Sequence, residues 1–234
     1  ELHHCLEGVA FAAANDESRP EISGILMTFE KNELLTTGTD SYRLAERRCK
    51  TLESSAGAKI IVPVRTVHEI LRALPNSDEV VKIEVAETQA HLSCGDVEIV
   101  TRLIDGKYPE YEQIIPQTWR TKAVCSNEAL TANTRATSLF CKPGINDVTL
   151  TLTPKKGIQL AAANTVVGQH ESSVEAAIEG DENTIVFNYR YLLDGLASLP
   201  PGDVLIELTD SQAPGVIRSQ QHPQELYLLM PIRQ

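Results

Sequence analysis

The pattern of apolar residues along the chain predicts four amphipathic helices, over residues 2–14, 65–74, 127–139 and 189–199. Pro75 stops the second and Pro200-Pro201 the fourth. Proline has no N–H to continue the ladder, and its ring clashes with the preceding turn. Ser126 is placed to cap the third helix, with Glu128 in its first turn. The helix starts, at residues 2, 65, 127 and 189, recur about every 62 residues, a period that marks an internal repeat.

Three strand candidates, alternating or rich in β-branched residues, follow each helix. They span residues 22–29, 33–37 and 42–48 after the first, and 80–85, 89–93 and 97–103 after the second. After the third they span 148–153, 158–163 and 167–176, and after the fourth 204–208, 216–219 and 226–230. A short strand precedes helices two to four, at 59–62, 122–125 and 184–187; none precedes the first, where the sequence begins. The unit is therefore strand, helix, three strands. Two units make one domain of ordinary size, with domains expected at residues 1–117 and 118–234 and the join within 115–121. Lys31-Asn32, Asp105-Gly106 and Lys156-Gly157 carry turn chemistry that supports the hairpins. Sparse helices between runs of strands predict an α+β fold, with helices on one face of mostly antiparallel sheets.

Composition narrows the function. The chain is 42% hydrophobic, ordinary for a globular core, and no apolar run approaches the roughly 18–20 residues that span a membrane. The N-terminal Glu1-Leu2-His3-His4 lacks the basic region of a signal peptide. Five cysteines, an odd number with no CxxC pair, are expected to be reduced thiols in a cytoplasmic protein. His3, His4 and Cys5 are adjacent on a helix and point in different directions, so no metal site is expected there. A formal net charge of −11 opposes simple electrostatic DNA binding, but not a protein that holds DNA by topology. GxSxG, HExxH and the P-loop are all absent. Asp40, beside Thr39 and Ser41, is expected to form a turn through its side chain, so no catalysis and no cofactor are expected.

Three segments carry a family resemblance: Gly38-Thr39-Asp40-Ser41-Tyr42-Arg43-Leu44-Ala45, then Asp105-Gly106-Lys107-Tyr108-Pro109-Glu110-Tyr111-Glu112-Gln113-Ile114-Ile115-Pro116, then the tail Leu226-Tyr227-Leu228-Leu229-Met230-Pro231-Ile232-Arg233-Gln234. In this order and spacing they resemble the bacterial sliding clamp, the β subunit of the DNA polymerase III holoenzyme. The resemblance covers the whole chain, but only the second and third of that family's three domains. It implies the DNA-clamp fold, with helices lining a central hole. It also implies a replication processivity factor that encircles duplex DNA without reading sequence and tethers the replicative polymerase. The full-length partner is a second copy, in a head-to-tail homodimer.

The resemblance further implies a hydrophobic cleft that docks short linear motifs of polymerase, clamp loader and repair proteins. From residues 1–117, the family's middle domain, it would draw on Ile22, Thr39, Ser41, Tyr42, Arg43 and Leu44. The interdomain segment would add Pro109, Gln113 and Ile114. The family's third domain, residues 118–234, would add Asn188 and Tyr191, and the tail Leu228, Met230, Pro231, Ile232 and Arg233. Methionine suits a surface that adapts to several partners. Tyr42 and Gln113 stand where some members carry His and Arg, and Ser41 where Gly is common. The residues expected to face DNA are Arg19, Arg65 and Arg72, with Arg135 and Arg190 on the third and fourth helices. Arg19 lies in the loop 15–20, where Asn15 and Asp16 replace the His and Gln of some members. The missing first domain and missing opening strand read as a chain shorter than the full subunit. The alternative is a divergent two-domain, clamp-like peptide-binding module that does not encircle DNA.

Overall fold

The computed structural model describes residues 1–16, 18–53, 57–74 and 77–233. It divides into two compact units, Glu1–Glu110 and Tyr111–Gln234. The break falls ahead of residues 115–121, inside the Tyr-Pro-Glu-Tyr segment, because buried Tyr111 opens a 3-10 turn, Tyr111–Ile114, that starts the second unit.

Unit 1 begins with α1 (Leu2–Ala10), followed by β1 (Gly24–Glu30), β2 (Glu33–Thr39) and β3 (Arg43–Lys50). Its second repeat contains β4 (Lys59–Pro63), α2 (Val64–Ala73), β5 (Lys82–Val85), β6 (Gln89–Cys94) and β7 (Val97–Arg102). One group of strands runs β3-β2-β1-β4 and another β5-β6-β7, every pair antiparallel. The opening strand of the second repeat thus joins the strands of the first, in a register from Gly24↔Pro63 to Thr28↔Lys59. With a neighbour on each side, β1 is buried from Gly24 to Phe29, so it reads as a continuous apolar run rather than an alternating one. The buried stripes of α1 (Cys5, Leu6, Val9) and α2 (Val67, Ile70) face the core, and the two helices lie side by side. The His3 ring Nε2 sits 3.2 Å from the Leu71 carbonyl.

Unit 2 contains β8 (Thr121–Ser126), α3 (Asn127–Ser138), β9 (Asp147–Thr153), β10 (Gly157–Asn164), β11 (Gly168–Val174) and β12 (Ala176–Gly180). Its second repeat contains β13 (Asn183–Asn188), α4 (Tyr189–Ser198), β14 (Asp203–Leu208), β15 (Gly215–Ser219) and β16 (Leu226–Leu229). The strands run β12-β8-β14-β15-β16 and β11-β10-β9-β13. Here the exchange is mutual: β13 pairs with β9, and β8 pairs with β14. Val148, Leu150 and Leu152 point inward from β9, and Leu192 and Leu196 from α4. The Ser126 hydroxyl caps α3 as expected, accepting from the Ala129 N–H at 3.3 Å.

Several expectations are corrected. The first helix stops at Ala10, and Ala12, Ala13 and Ala14 are buried in the turn beyond it. Ile22 lies in a 3-10 turn, Pro20–Ile22, not in β1, because Pro20 fixes the first position and the Ser23 hydroxyl donates to the Pro20 carbonyl. Tyr42 precedes β3 rather than opening it. Val80 and Val81 lie outside β5. The segment expected as one strand over 167–176 is two strands that part at Glu175 and serve different sheets, β11 against β10 and β12 against β8. Asp105-Gly106 leads out of β7 into an irregular segment and joins no hairpin. Pro75 lies outside the described residues; α2 ends at Ala73 and Leu74 is already extended. Among the described residues, no helix is long and apolar enough to cross a membrane.

Candidate functional site

The residues singled out by the sequence fall in both units, and each set is described within its own. In unit 1 the turn between β2 and β3 is built from side-chain bonds. The Thr39 hydroxyl donates to the Arg43 carbonyl at 2.7 Å and accepts from the Ser41 N–H at 3.2 Å. One Asp40 carboxylate oxygen accepts from the N–H groups of Tyr42 and Arg43, at 2.9 and 3.0 Å. The other pairs with Arg43 Nε at 2.9 Å. The Arg43 guanidinium also lies 5.5 Å over the Phe11 ring, a cation–π contact. Ser41 sits at φ +77, a left-handed conformation unusual for a non-glycine residue. These bonds hold Tyr42 outward, 64% exposed, while Leu44 points into the core at 1%.

Gly38 positions this turn against α1. A Cβ there would collide with the Val9 carbonyl at the end of the helix, so only glycine lets β2 pass so close. Three chain segments converge on the same region. The Tyr108 hydroxyl donates to the Thr37 carbonyl at 3.2 Å, and burial pushes that phenol well above its ordinary range. Gly106 lies against Glu21, and Arg19 reaches the Ser41 hydroxyl at 2.7 Å. Ile22 is buried and Pro109 half-buried.

In unit 2, Asn188 caps α4, its side-chain oxygen accepting from the Arg190 N–H at 3.0 Å. The tail is tied down at two points. The Tyr227 hydroxyl donates to the Tyr191 carbonyl at 2.7 Å, and the Ile232 N–H donates to the Val186 carbonyl at 2.8 Å. Gly195 admits the Tyr227 ring, where any Cβ would collide with it. Leu228 is buried, Met230, Pro231 and Ile232 are half-buried, and Arg233 is exposed. Gln113 and Ile114 are exposed in the 3-10 turn that opens this unit.

The basic residues lie on exposed positions. Arg65 and Arg72 project from α2, Arg72 paired with Glu69 at 3.0 Å. Arg135 projects from α3, and Arg190 from α4, its guanidinium 5.9 Å over the Tyr189 ring. Arg19 is half-exposed, with Nε 3.3 Å from Glu21. Near it, Ser18's hydroxyl and N–H hold the Asp16 carboxyl below the usual carboxylate range, so this loop carries both signs at neutral pH.

Sequence reasoning missed Phe11 and Tyr108, whose roles depend on residues distant in the chain. It also missed an apolar patch on unit 2. Leu139 is 73% exposed and Val166 91%, with Ile145 and Val167 also exposed. The β10–β11 turn that carries the valines is tied to the segment after α3 by Asn164 donating to the Cys141 carbonyl at 3.3 Å. Phe140 stacks on His170 alongside, centroids 5.3 Å apart. All five cysteines are buried and unpaired.

Known proteins match this arrangement over its full length. The family model for the DNA polymerase III beta subunit central domain matches residues 1–110, and that for its C-terminal domain residues 112–233. A beta sliding clamp of Bacillus subtilis is 31% identical over 236 residues, covering 99% of this chain and 62% of its own length. One from Synechocystis is 30% identical over 247 residues, covering 99% and 63%. Among solved structures, the DNA polymerase sliding clamp of Bacillus subtilis superposes with a TM-score of 0.95 at 29% identity, over 100% of this chain and 62% of that one. The DNA polymerase III beta subunit of Thermotoga maritima gives 0.94 at 27% identity, covering 100% and 63%. The chain thus spans about three-fifths of the length of these relatives. The two consecutive family matches, with the antiparallel repeat architecture beneath them, establish that this chain belongs to the DNA polymerase III beta subunit, or sliding clamp, family.

Proposed function

We propose that the chain is the central and C-terminal part of a replication processivity factor, a non-catalytic accessory subunit of a DNA-directed DNA polymerase. In its full-length form it encircles duplex DNA as a head-to-tail homodimer, tethers the replicative polymerase and docks client peptides. The match of both family models in order across the chain carries this reading. The rigid turn that holds Tyr42 outward and the anchored, half-exposed Met230 tail support peptide docking. Such preformed apolar anchors bind a short motif at little ordering cost. The exposed arginines of α2, α3 and α4 support a DNA-facing role. Their acidic neighbours, such as Glu69 beside Arg72, temper the grip on phosphate and suit a ring that slides. The apolar patch of Leu139, Ile145, Val166 and Val167 is the candidate surface for a second subunit.

The test is binding of a fluorescent Gln-Leu-x-Leu-Phe-type peptide to this chain, read by anisotropy. Saturable micromolar-range binding is expected, abolished in a folded Tyr42→Ala, Met230→Ala variant. Leu44 is unsuitable for this purpose, because its burial makes truncation a core mutation. Failure of well-folded protein to bind removes the docking function.

A further inference from the structure

Two cysteines of unit 1 face each other where α1 packs on β3. A Cβ on Gly8 of α1 would lie 2.7 Å from Arg47 Nε, so Gly8 sits directly over Arg47 of β3. Cys5 lies one turn before Gly8 on the same helix face. Cys49 lies two residues beyond Arg47 on the same buried face of β3, while Arg48 and Lys50 point to solvent. Thr36, opposite Arg47 on β2, fixes this register. Its hydroxyl donates to the Cys5 carbonyl at 3.1 Å and also reaches the Arg47 carbonyl at 3.4 Å. The two thiols meet in a hydrogen bond. We propose that Cys5 and Cys49 are an oxidisable pair, which hydrogen peroxide converts into a disulfide that staples α1 to β3. This goes beyond the function given above and does not depend on it.

The chemistry separates this pair from the other buried cysteines. The bond between the two thiols lowers Cys49 from its ordinary value and raises Cys5, with burial adding to the rise of Cys5. Cys94, Cys125 and Cys141 are all raised, by burial first. The thiolate is the species that attacks peroxide, so Cys49 reacts first. It is also the more open of the two, 5% exposed against 0% for Cys5. In the first step the Cys49 thiolate attacks one peroxide oxygen and the O–O bond breaks. The sulfur becomes a sulfenic acid, and the departing hydroxide takes up the proton lost by Cys49 to give water. In the second step the Cys5 sulfur attacks the Cys49 sulfur and the S–O bond breaks. The departing hydroxide takes the Cys5 proton as a second water. Two thiols and one peroxide thus give one disulfide and two waters, with two electrons passing from sulfur to oxygen. The bond closes the chain from α1 through β1 and β2 to β3 into a loop, which restricts the unfolded chain and holds the helix down.

The experiment treats the folded 234-residue chain with hydrogen peroxide near neutral pH. Remaining thiols are alkylated in urea, and peptides are mapped without reduction. The expected product has lost two hydrogens, carries alkyl groups on Cys94, Cys125 and Cys141 alone, and yields one cross-linked pair holding Cys5 and Cys49. Dithiothreitol should reverse it. Proteolysis within residues 1–50 should be at least about tenfold slower in the bonded form. In Cys5→Ala, dimedone should trap a sulfenic acid at Cys49, and in Cys49→Ala, Cys5 should stay unmodified. Alkylation of all five cysteines after peroxide treatment would overturn the proposal, as would a cross-link through Cys94, Cys125 or Cys141. A Cys5–Cys49 link that forms in urea but not in the folded chain would also overturn it. Equal proteolysis of both forms would remove the staple. Mapping uses the unsubstituted chain, so it decides the proposal even where a variant does not fold.

Discussion

The two units are built from the same repeat, and among the described residues their strand pairings differ. In unit 2 each repeat lends its opening strand to the other, β13 to β9 and β8 to β14. In unit 1 the loan runs one way, β4 to β1, and β5 has β6 as its one strand neighbour among the described residues. The consequence is visible in the side chains. Val148, Leu150 and Leu152 of β9 are fully buried, whereas Lys82, Glu84 and Val85 of β5 are exposed, Val85 to 41%. In β9 these residues lie between two neighbours, β10 and β13.

This difference can be tested by mutation. Leu150→Ala in β9 should destabilise unit 2 by about 3–4 kcal/mol, while Ile83→Ala in β5 costs about 1 kcal/mol, because an exposed edge can relax around the lost atoms. Urea unfolding of both variants checks this, and equal costs would mean that β5 is as well packed as β9. Gly195→Ala drives a methyl into the Tyr227 ring and should cost about 2–3 kcal/mol. It should also loosen the tail, read as faster proteolysis near Met230. Hydrogen exchange sharpens the contrast between the sheets. The β5 amides should open at least about 2 kcal/mol more easily than those of β9.

The smallest effect is alkaline. Burial first, and the Asp203 charge second, push the Cys125 thiol up to about 12 from the ordinary 9.0. The unfolded chain ionises first, so stability is unaffected below pH 9 and falls as pH rises toward 12. The Cys125 contribution to the loss by pH 10 should be about 1 kcal/mol. In Cys125→Ala that part disappears, and the parts from Cys5, raised by its bond with Cys49 and by burial, and from Cys141, raised by burial, remain. Urea midpoints at pH 8 and 10 give the comparison.

Much of the fold was legible because its signals are local. Amphipathic spacing marked all four helices, and the Pro200 stop and the Ser126 cap placed the end of α4 and the start of α3 within a residue, while α1 stops four residues before its expected end. Asp40 was recognisable as a turn former from its neighbours alone, and it bonds two successive N–H groups as a turn former should. The site was legible as a set of segments through resemblance, but not as an arrangement. Leu44 and Tyr42 are two residues apart in one motif, and one is core while the other is displayed. Tyr42 lies in the turn and Leu44 in β3, and no periodicity announces that boundary. The patch of Leu139, Ile145, Val166 and Val167 escaped notice because single exposed apolar residues look like core until their surroundings are known.

By itself the sequence determined where the four helices lie, that a unit of about 62 residues recurs, and which family the chain joins. Each of these depends on residues close together in the chain or on motifs read in order. Only the tertiary structure decided which strand each opening strand pairs with, that the segment around Glu175 changes sheets, and that Arg19 meets Ser41. Those outcomes are pairings between distant residues. Many partners satisfy the same local pattern, and the choice among them is made by burial and hydrogen bonding of the assembled unit.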